Sequence, residues 1–134
     1  MKKAYHIQVR FSDIDALGHV NNARFLEYFE LTRVFFFNEV VGKQWDWTTH
    51  GLILAKNEVE YIQPVLLNDY VMIHIWCERI GTKSFDMAYE LKVGEGEKAV
   101  LKAKGKSVIV CFDYKTQKST EVPQEWREKL GTKN

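Results

Sequence analysis

Residues 13–30 read DIDALGHVNNARFLEYFE. Asp13 and Asp15 stand two residues apart, and Gly18, His19, Asn21 and Asn22 follow at once. A helix-like pattern then runs from about Ala23 to Val41. Phe25, Phe29, Phe36 and Val40 share one face, with Leu26 and Phe37 beside it. Tyr28, Leu31, Val34 and Phe35 are spread over the other sides, which predicts a helix buried on most of its circumference. Gly42 is placed to end it. The polar crowding before this helix has two readings. Asn is a leading N-cap residue, so Asn21 and Asn22 suit capping. A helix start also exposes unpaired N–H groups and a partial positive charge, on which a site can be built.

Around this stretch the chain alternates like a sheet. Residues 5–12 (YHIQVRFS) have strand periodicity, and strand-like segments recur at residues 52–62, 69–80, 84–93 and 97–112. Gln63-Pro64 separates the first of these from the next, Gly81 punctuates the second and third, and Gly94-Glu95-Gly96 suits a hairpin turn. With that turn centred near Glu95, Tyr89 meets Leu101, Met87 meets Ala103, Phe85 meets Gly105 and Asp86 meets Lys104. Large residues would face small ones, leaving room for a third object. Residues 123–130 read as a short surface helix. The expected architecture is α+β, an antiparallel meander curled around one long helix. Residues 70–80 are apolar on both faces, and a second subunit is the simplest cover for the face turned from the helix.

Composition narrows the function classes. The 134 residues suit one domain, 1–134, and 46% are hydrophobic. A net charge of +1 gives no general attraction for nucleic acid or anionic membrane. The start, MKKAYHIQVRFSD, lacks the apolar core of about 7–15 residues that a signal peptide needs. Nor is there an apolar run of about 18 residues to span a membrane. Cys77 and Cys111 form no CxxC and read as two buried thiols of a reduced, cytoplasmic protein. His6, His19, His50 and His74 show no ligand spacing, so neither metal nor other cofactor is expected.

One strand, an acidic loop with Gly-His-Val-Asn-Asn, a long helix and a curled antiparallel sheet together resemble the hotdog fold. The segment VRFSDIDALGHVNNARFLEYFELTR, residues 9–33, resembles the signature of the 4-hydroxybenzoyl-CoA thioesterase family. Tyr61, Pro64 and Asp69, then Lys83-Ser84-Phe85, extend the likeness over residues 5–125. The resemblance implies a curled sheet of five to six strands wrapped around one long central helix, and hydrolysis of an acyl-CoA thioester. It implies that Asp15 is the catalytic carboxylate and that Gly18 lets its loop pass close to substrate. It places Asn22 where a helix-start N–H meets the thioester carbonyl, and Lys83 and Ser84 where coenzyme A phosphates lie. It also implies a homodimer or homotetramer whose subunits pair sheet edges and share pockets.

Physical chemistry supports that assignment independently. Thioester hydrolysis develops negative charge on the carbonyl oxygen, which helix-start N–H groups can stabilise without a metal. A neighbouring carboxylate can activate water or attack the carbon itself. Of the remaining polar residues, Asp13 reads as structural and Asn21 as a cap that also borders substrate. His19 either orients Asp15, lines the pocket or packs in the loop. Arg33 reads as an ion pair with Glu30. Asn57 and Glu58 lie on a strand that a partner's pocket would pass. Lys98, Lys102, Lys104 and Lys106 form a stripe, of which Lys104, with Lys83, is the candidate for phosphate. Two other activities fit the same pattern. One is a hotdog hydratase or dehydratase, whose acid–histidine pair Asp15 and His19 would imitate. The other is a non-catalytic acyl-CoA-binding domain.

Overall fold

The computed structural model describes residues 1–42 and 44–131. The reading of residues 1–134 as one domain extends to Lys43 and to Thr132, Lys133 and Asn134, which lie outside the described residues. Strands β1 (Lys2–Ile7), β2 (Gly51–Tyr61), β3 (Val71–Ile80), β4 (Ser84–Val93), β5 (Val100–Asp113) and β6 (Lys118–Ser119) form one antiparallel sheet. Helix α1 (Arg24–Val40) lies across it, and helix α2 (Gln124–Leu130) follows the last strand. The strand order is β1-β3-β4-β5-β2, with β6 added to β5.

This order corrects the expected meander, because β2 and β3 are not neighbours. After Tyr61 the chain leaves the sheet edge, and Gln63-Pro64 turns it out of the ladder. Val65 is then fully buried, and its carbonyl accepts the Val20 N–H at 2.8 Å. The segment between β2 and β3 thus crosses beneath the start of α1 before β3 inserts between β1 and β4. β1 is shorter than residues 5–12 because its pairing with β3 ends at Ile7↔Val71.

The β4–β5 register also differs from expectation. Residues 94–99 form a wide loop containing a 3-10 turn at Gly96–Lys98, not a tight turn at Glu95. Pairing is displaced by four positions, so Tyr89 faces Gly105, Met87 faces Ser107 and Phe85 faces Ile109. Lys104 faces Glu90 instead of Asp86. An even displacement keeps each residue on its face. The predicted third object is Phe29 of α1. Its ring stacks on Tyr89 with centroids 4.6 Å apart, and a Cβ on Gly105 would stand 2.6 Å from it. Ladder pairing slips at Leu54/Lys56, Cys77/Arg79 and Leu91/Lys92, irregularities that curl a sheet around its helix.

The core lies between α1 and the sheet: Phe25, Phe29 and Phe36 against Val71, Ile73, Ile75, Phe85, Met87 and Leu91. Each such side chain taken fully from water stabilises the fold by roughly 1.5–3 kcal/mol. The helix is not buried on most sides, as its pattern predicted. Leu26, Leu31, Val34 and Phe35 remain exposed on its outer side. Nor is α1 the sheet's sole helical cover. Trp126 of α2 is buried beside Phe37, Phe85, Trp45 and Trp47 at the C-terminal end of α1, while Gln124, Glu125 and Glu128 face out, so α2 is a surface helix with one buried apolar face. Cys77 and Cys111 are free, and burial pushes both thiols up to about 11.

Candidate active site

The loop before α1 is held in three ways. The residues Phe11–Asp13 form a 3-10 turn, Ile14 bridges Val20, and the Asp15 N–H donates to the His19 carbonyl at 2.9 Å. Gly18 sits at φ +85°, and a methyl group added there would meet nothing within 4 Å, so the left-handed backbone, not crowding, requires glycine.

Asp13 is the anchor. It is 0% exposed, and its carboxylate accepts from the Tyr28 hydroxyl (2.6 Å), the Arg10 N–H (3.0 Å) and Arg10 Nη2 (3.0 Å). Burial alone would raise its carboxyl pKa, but the bonds from Tyr28 and Arg10 outweigh burial and hold it below the usual value. Burial, with the hydrogen bond that the hydroxyl donates to the Asp13 carboxylate, pushes the Tyr28 phenol up in turn. The Asp13 carbonyl accepts the Asn21 N–H at 2.8 Å, so one residue ties the loop to the helix start.

Asn21 caps that start. Its Oδ1 accepts the Ala23 N–H at 2.9 Å and its carbonyl accepts the Arg24 N–H at 2.9 Å. The Phe25 N–H bonds the Asn22 carbonyl at 3.3 Å, and the same carbonyl accepts the Tyr61 hydroxyl at 2.8 Å. The Asn22 N–H itself has no acceptor among the described residues. Asp15 uses Oδ1 to accept the Leu17 N–H at 2.9 Å, and its Oδ2 has no hydrogen-bond partner among the described residues. A concave site of about 440 Å³ is lined by Asp15, Leu17, His19, Val20, Asn21, Asn22 and Pro64. A carboxylate, a helix-start N–H and space for a reacting group therefore coincide. Asp15 and His19 both line this cavity and meet through backbone atoms, and among the described residues no hydrogen bond joins their side chains.

The other candidates lie elsewhere. Lys83 is exposed in the turn before β4, its carbonyl accepting the Cys111 N–H at 2.9 Å, at the end of the sheet near α2. Asn22 and Asp15 are at the opposite end of α1. Ser84 Oγ accepts Arg79 Nη2 at 3.4 Å, and Arg79 also pairs with Asp86 at 3.1 Å, the partnership expected of Lys104. Lys104 lies in a separate groove on the outer face of the sheet with Glu60, Trp76, Glu90 and Lys106. Seven residues of β5 separate Lys104 from the level of Lys83, roughly 23 Å, so the two cannot clasp one phosphate group. Arg10, Tyr28 and the Tyr61 hydroxyl escaped the sequence reading. Tyr28 and Asp13 are distant in sequence; Tyr28 had drawn notice only as an apolar residue of the helix, and Tyr61 only as an aromatic.

Among the described residues no three His, Cys, Asp or Glu side chains gather to hold a metal ion. No helix is long and apolar enough to cross a membrane.

A family model for the thioesterase-like superfamily matches residues 9–130, nearly the whole chain. The chain belongs to that superfamily. This superfamily member is 32% identical to the long-chain acyl-CoA thioesterase FadM of Escherichia coli, over 92% of the chain and 93% of FadM. A thioesterase from Thermus thermophilus, solved with coenzyme A and zinc, is 32% identical and superposes with a TM-score of 0.82, covering 95% of this chain and 90% of that one. A predicted thioesterase from Bacillus stearothermophilus reaches a TM-score of 0.86 at 27% identity, covering 98% and 95%. The curled antiparallel sheet is thus that of the hotdog-type thioesterases to which residues 9–33 drew attention.

Proposed function

We propose that the protein hydrolyses an acyl-CoA thioester to the free acid and coenzyme A. The observation that carries this reading is the shared cavity of Asp15 and the unpaired Asn22 N–H. In the proposed reaction the thioester carbonyl rests against the Asn22 N–H and the positive end of α1. Negative charge developing on that oxygen is stabilised there. Asp15, with Oδ2 uncommitted, either activates water to attack the carbonyl carbon or attacks it itself; the thiolate of coenzyme A departs and takes up a proton, and on the second route water then cleaves the acyl–Asp15 anhydride to release the acid. Asn21 holds the helix start, Gly18 shapes the turn and His19 lines the wall. The names of FadM and of the coenzyme A-bound Thermus thermophilus thioesterase support the substrate class.

The test is thiol release from a panel of acyl-CoA esters of varied length and aromaticity. Asp15→Asn, near-isosteric and without the base, should lower kcat at least about 10²-fold. Asp13→Asn should act mainly on stability. Near wild-type turnover by Asp15→Asn on the best substrate would exclude Asp15 from the chemistry.

A further inference from the structure

We propose that Tyr61 is a positioning residue: its hydroxyl, carried to the start of α1 by the end of β2, holds the turn that presents the Asn22 N–H to the thioester carbonyl. This deepens the thioesterase reading and rests on it.

The Asn22 N–H belongs to the peptide that joins Asn21 to Asn22, and the next peptide joins Asn22 to Ala23. The first is held through its carbonyl, which accepts the Arg24 N–H at 2.9 Å. The second has its N–H on Asn21 Oδ1 at 2.9 Å. Its carbonyl accepts the Phe25 N–H only at 3.3 Å, a long bond, whereas the Tyr61 hydroxyl donates to it at 2.8 Å. Without that hydroxyl the short bond is lost and the peptide between Asn22 and Ala23 can tilt. A tilt there moves Asn22, and its N–H moves with it.

Tyr61 also supplies a direction of support that the turn otherwise lacks. Among the described residues, the backbone of residues 21–25 takes its other hydrogen bonds from the preceding loop and from α1, and Tyr61 alone reaches it from the sheet. The Tyr61 ring meets the buried Phe25 edge-on, with centroids 5.0 Å apart and planes at 79°. Pro64, just beyond the end of β2, lines the cavity of Asp15 and Asn22, so this strand leads from Tyr61 into the cavity wall.

Exposure separates positioning from stability. Tyr61 is 44% exposed. Where water has access it replaces a lost partner, so this bond adds little to folding. Orientation matters more for the reaction. A donor aimed at a developing oxyanion works because it is already in place, and a small misplacement is costly. Burial pushes the Tyr61 phenol above its ordinary value, so it stays a protonated donor through the neutral range.

The experiment uses Tyr61→Phe, which removes the hydroxyl and keeps the ring on Phe25. On the best acyl-CoA ester of the panel its kcat should fall at least about tenfold, with KM within about twofold, since the interaction lost is made in the transition state. Two inhibitors with the same chain complete the test. An S-alkyl thioether of coenzyme A has no carbonyl and should bind the wild type and Tyr61→Phe equally. In a trifluoromethyl ketone analogue the carbonyl carbon adds hydroxide or a carboxylate and leaves its oxygen negative. That analogue should bind Tyr61→Phe at least about tenfold more weakly than the wild type. An unchanged kcat, an unchanged affinity for the ketone, or equal weakening of both inhibitors overturns the proposal. So does a Tyr61→Phe chain that fails to fold, which assigns the bond to stability. Each of these outcomes leaves the thioesterase reading intact. Turnover of no CoA ester by the wild type overturns that reading and this inference with it.

Discussion

Two aspartates of one short loop show how surroundings assign roles. Asp13 is sealed from water and accepts from Tyr28 and Arg10; Asp15 faces a cavity with one oxygen uncommitted. Removing the Tyr28 hydroxyl would leave a buried carboxylate short of one charge-assisted bond. Tyr28→Phe should therefore cost roughly 1.5–3 kcal/mol in urea unfolding. The pH dependence has a definite sign. The Asp13 carboxyl is held below its ordinary value in the fold, so its stabilisation is full above the unfolded value and is lost as pH falls through the folded one. Stability of the wild type should decline with acid from about pH 4 downward, and Asp13→Asn, already weakened at neutral pH, should show a flatter decline over that range. Which aspartate was free for chemistry was not legible from spacing alone. It required the resemblance, because Tyr28, fifteen residues on, gives no local sign of reaching Asp13. The capping role of Asn21 was legible, since Asn forms short-range bonds wherever a helix begins.

Elements were legible where a period repeats. The long helix and the four longer sheet strands after it followed from spacing alone, as did the inward faces of β4 and β5; β3, apolar on both faces, carried no such sign. The β4–β5 register was not, because a displacement by four residues leaves the alternation unchanged. The length of the loop at residues 94–99 decides it, and Gly94-Glu95-Gly96 is compatible with either a tight or a wide turn. The structure makes Gly105 the position where this register is locked to the helix. Phe29 lies over it and is pinned by its stack on Tyr89, so a methyl group there cannot be accommodated by a simple swing of the ring. Gly105→Ala should cost about 1–3 kcal/mol by overpacking, read as a lower urea midpoint with an unchanged slope.

At the scale of the whole molecule, the crossing between β2 and β3 and the packing of Trp126 against the end of α1 were hidden from the sequence, because both depend on contacts between distant segments. They leave β2, eleven residues long, as an uncovered edge with Ile53, Leu54 and Tyr61 exposed. Such an edge invites pairing with a second chain. Light scattering should give a mass of about twice the 15.7 kDa chain or a larger multiple. Within one chain Lys83 and Asp15 lie at opposite ends of α1, so a role for Lys83 at the nucleotide end of coenzyme A requires a second subunit. Lys83→Ala should then raise KM several-fold for a CoA ester, with kcat little changed and no effect on an N-acetylcysteamine ester. A KM change shared by both esters would assign Lys83 to structure. The aromatic pile around Trp126 has an optical consequence. Trp45, Trp47 and Trp126 stand together at the end of α1 remote from Asp15, and Trp76 lies on the outer face of the sheet beneath Lys2. Intrinsic fluorescence should therefore follow unfolding of the α2 end closely and stay nearly silent when a substrate analogue fills the catalytic cavity, so ligand titrations of this protein call for an added chromophore near Leu17.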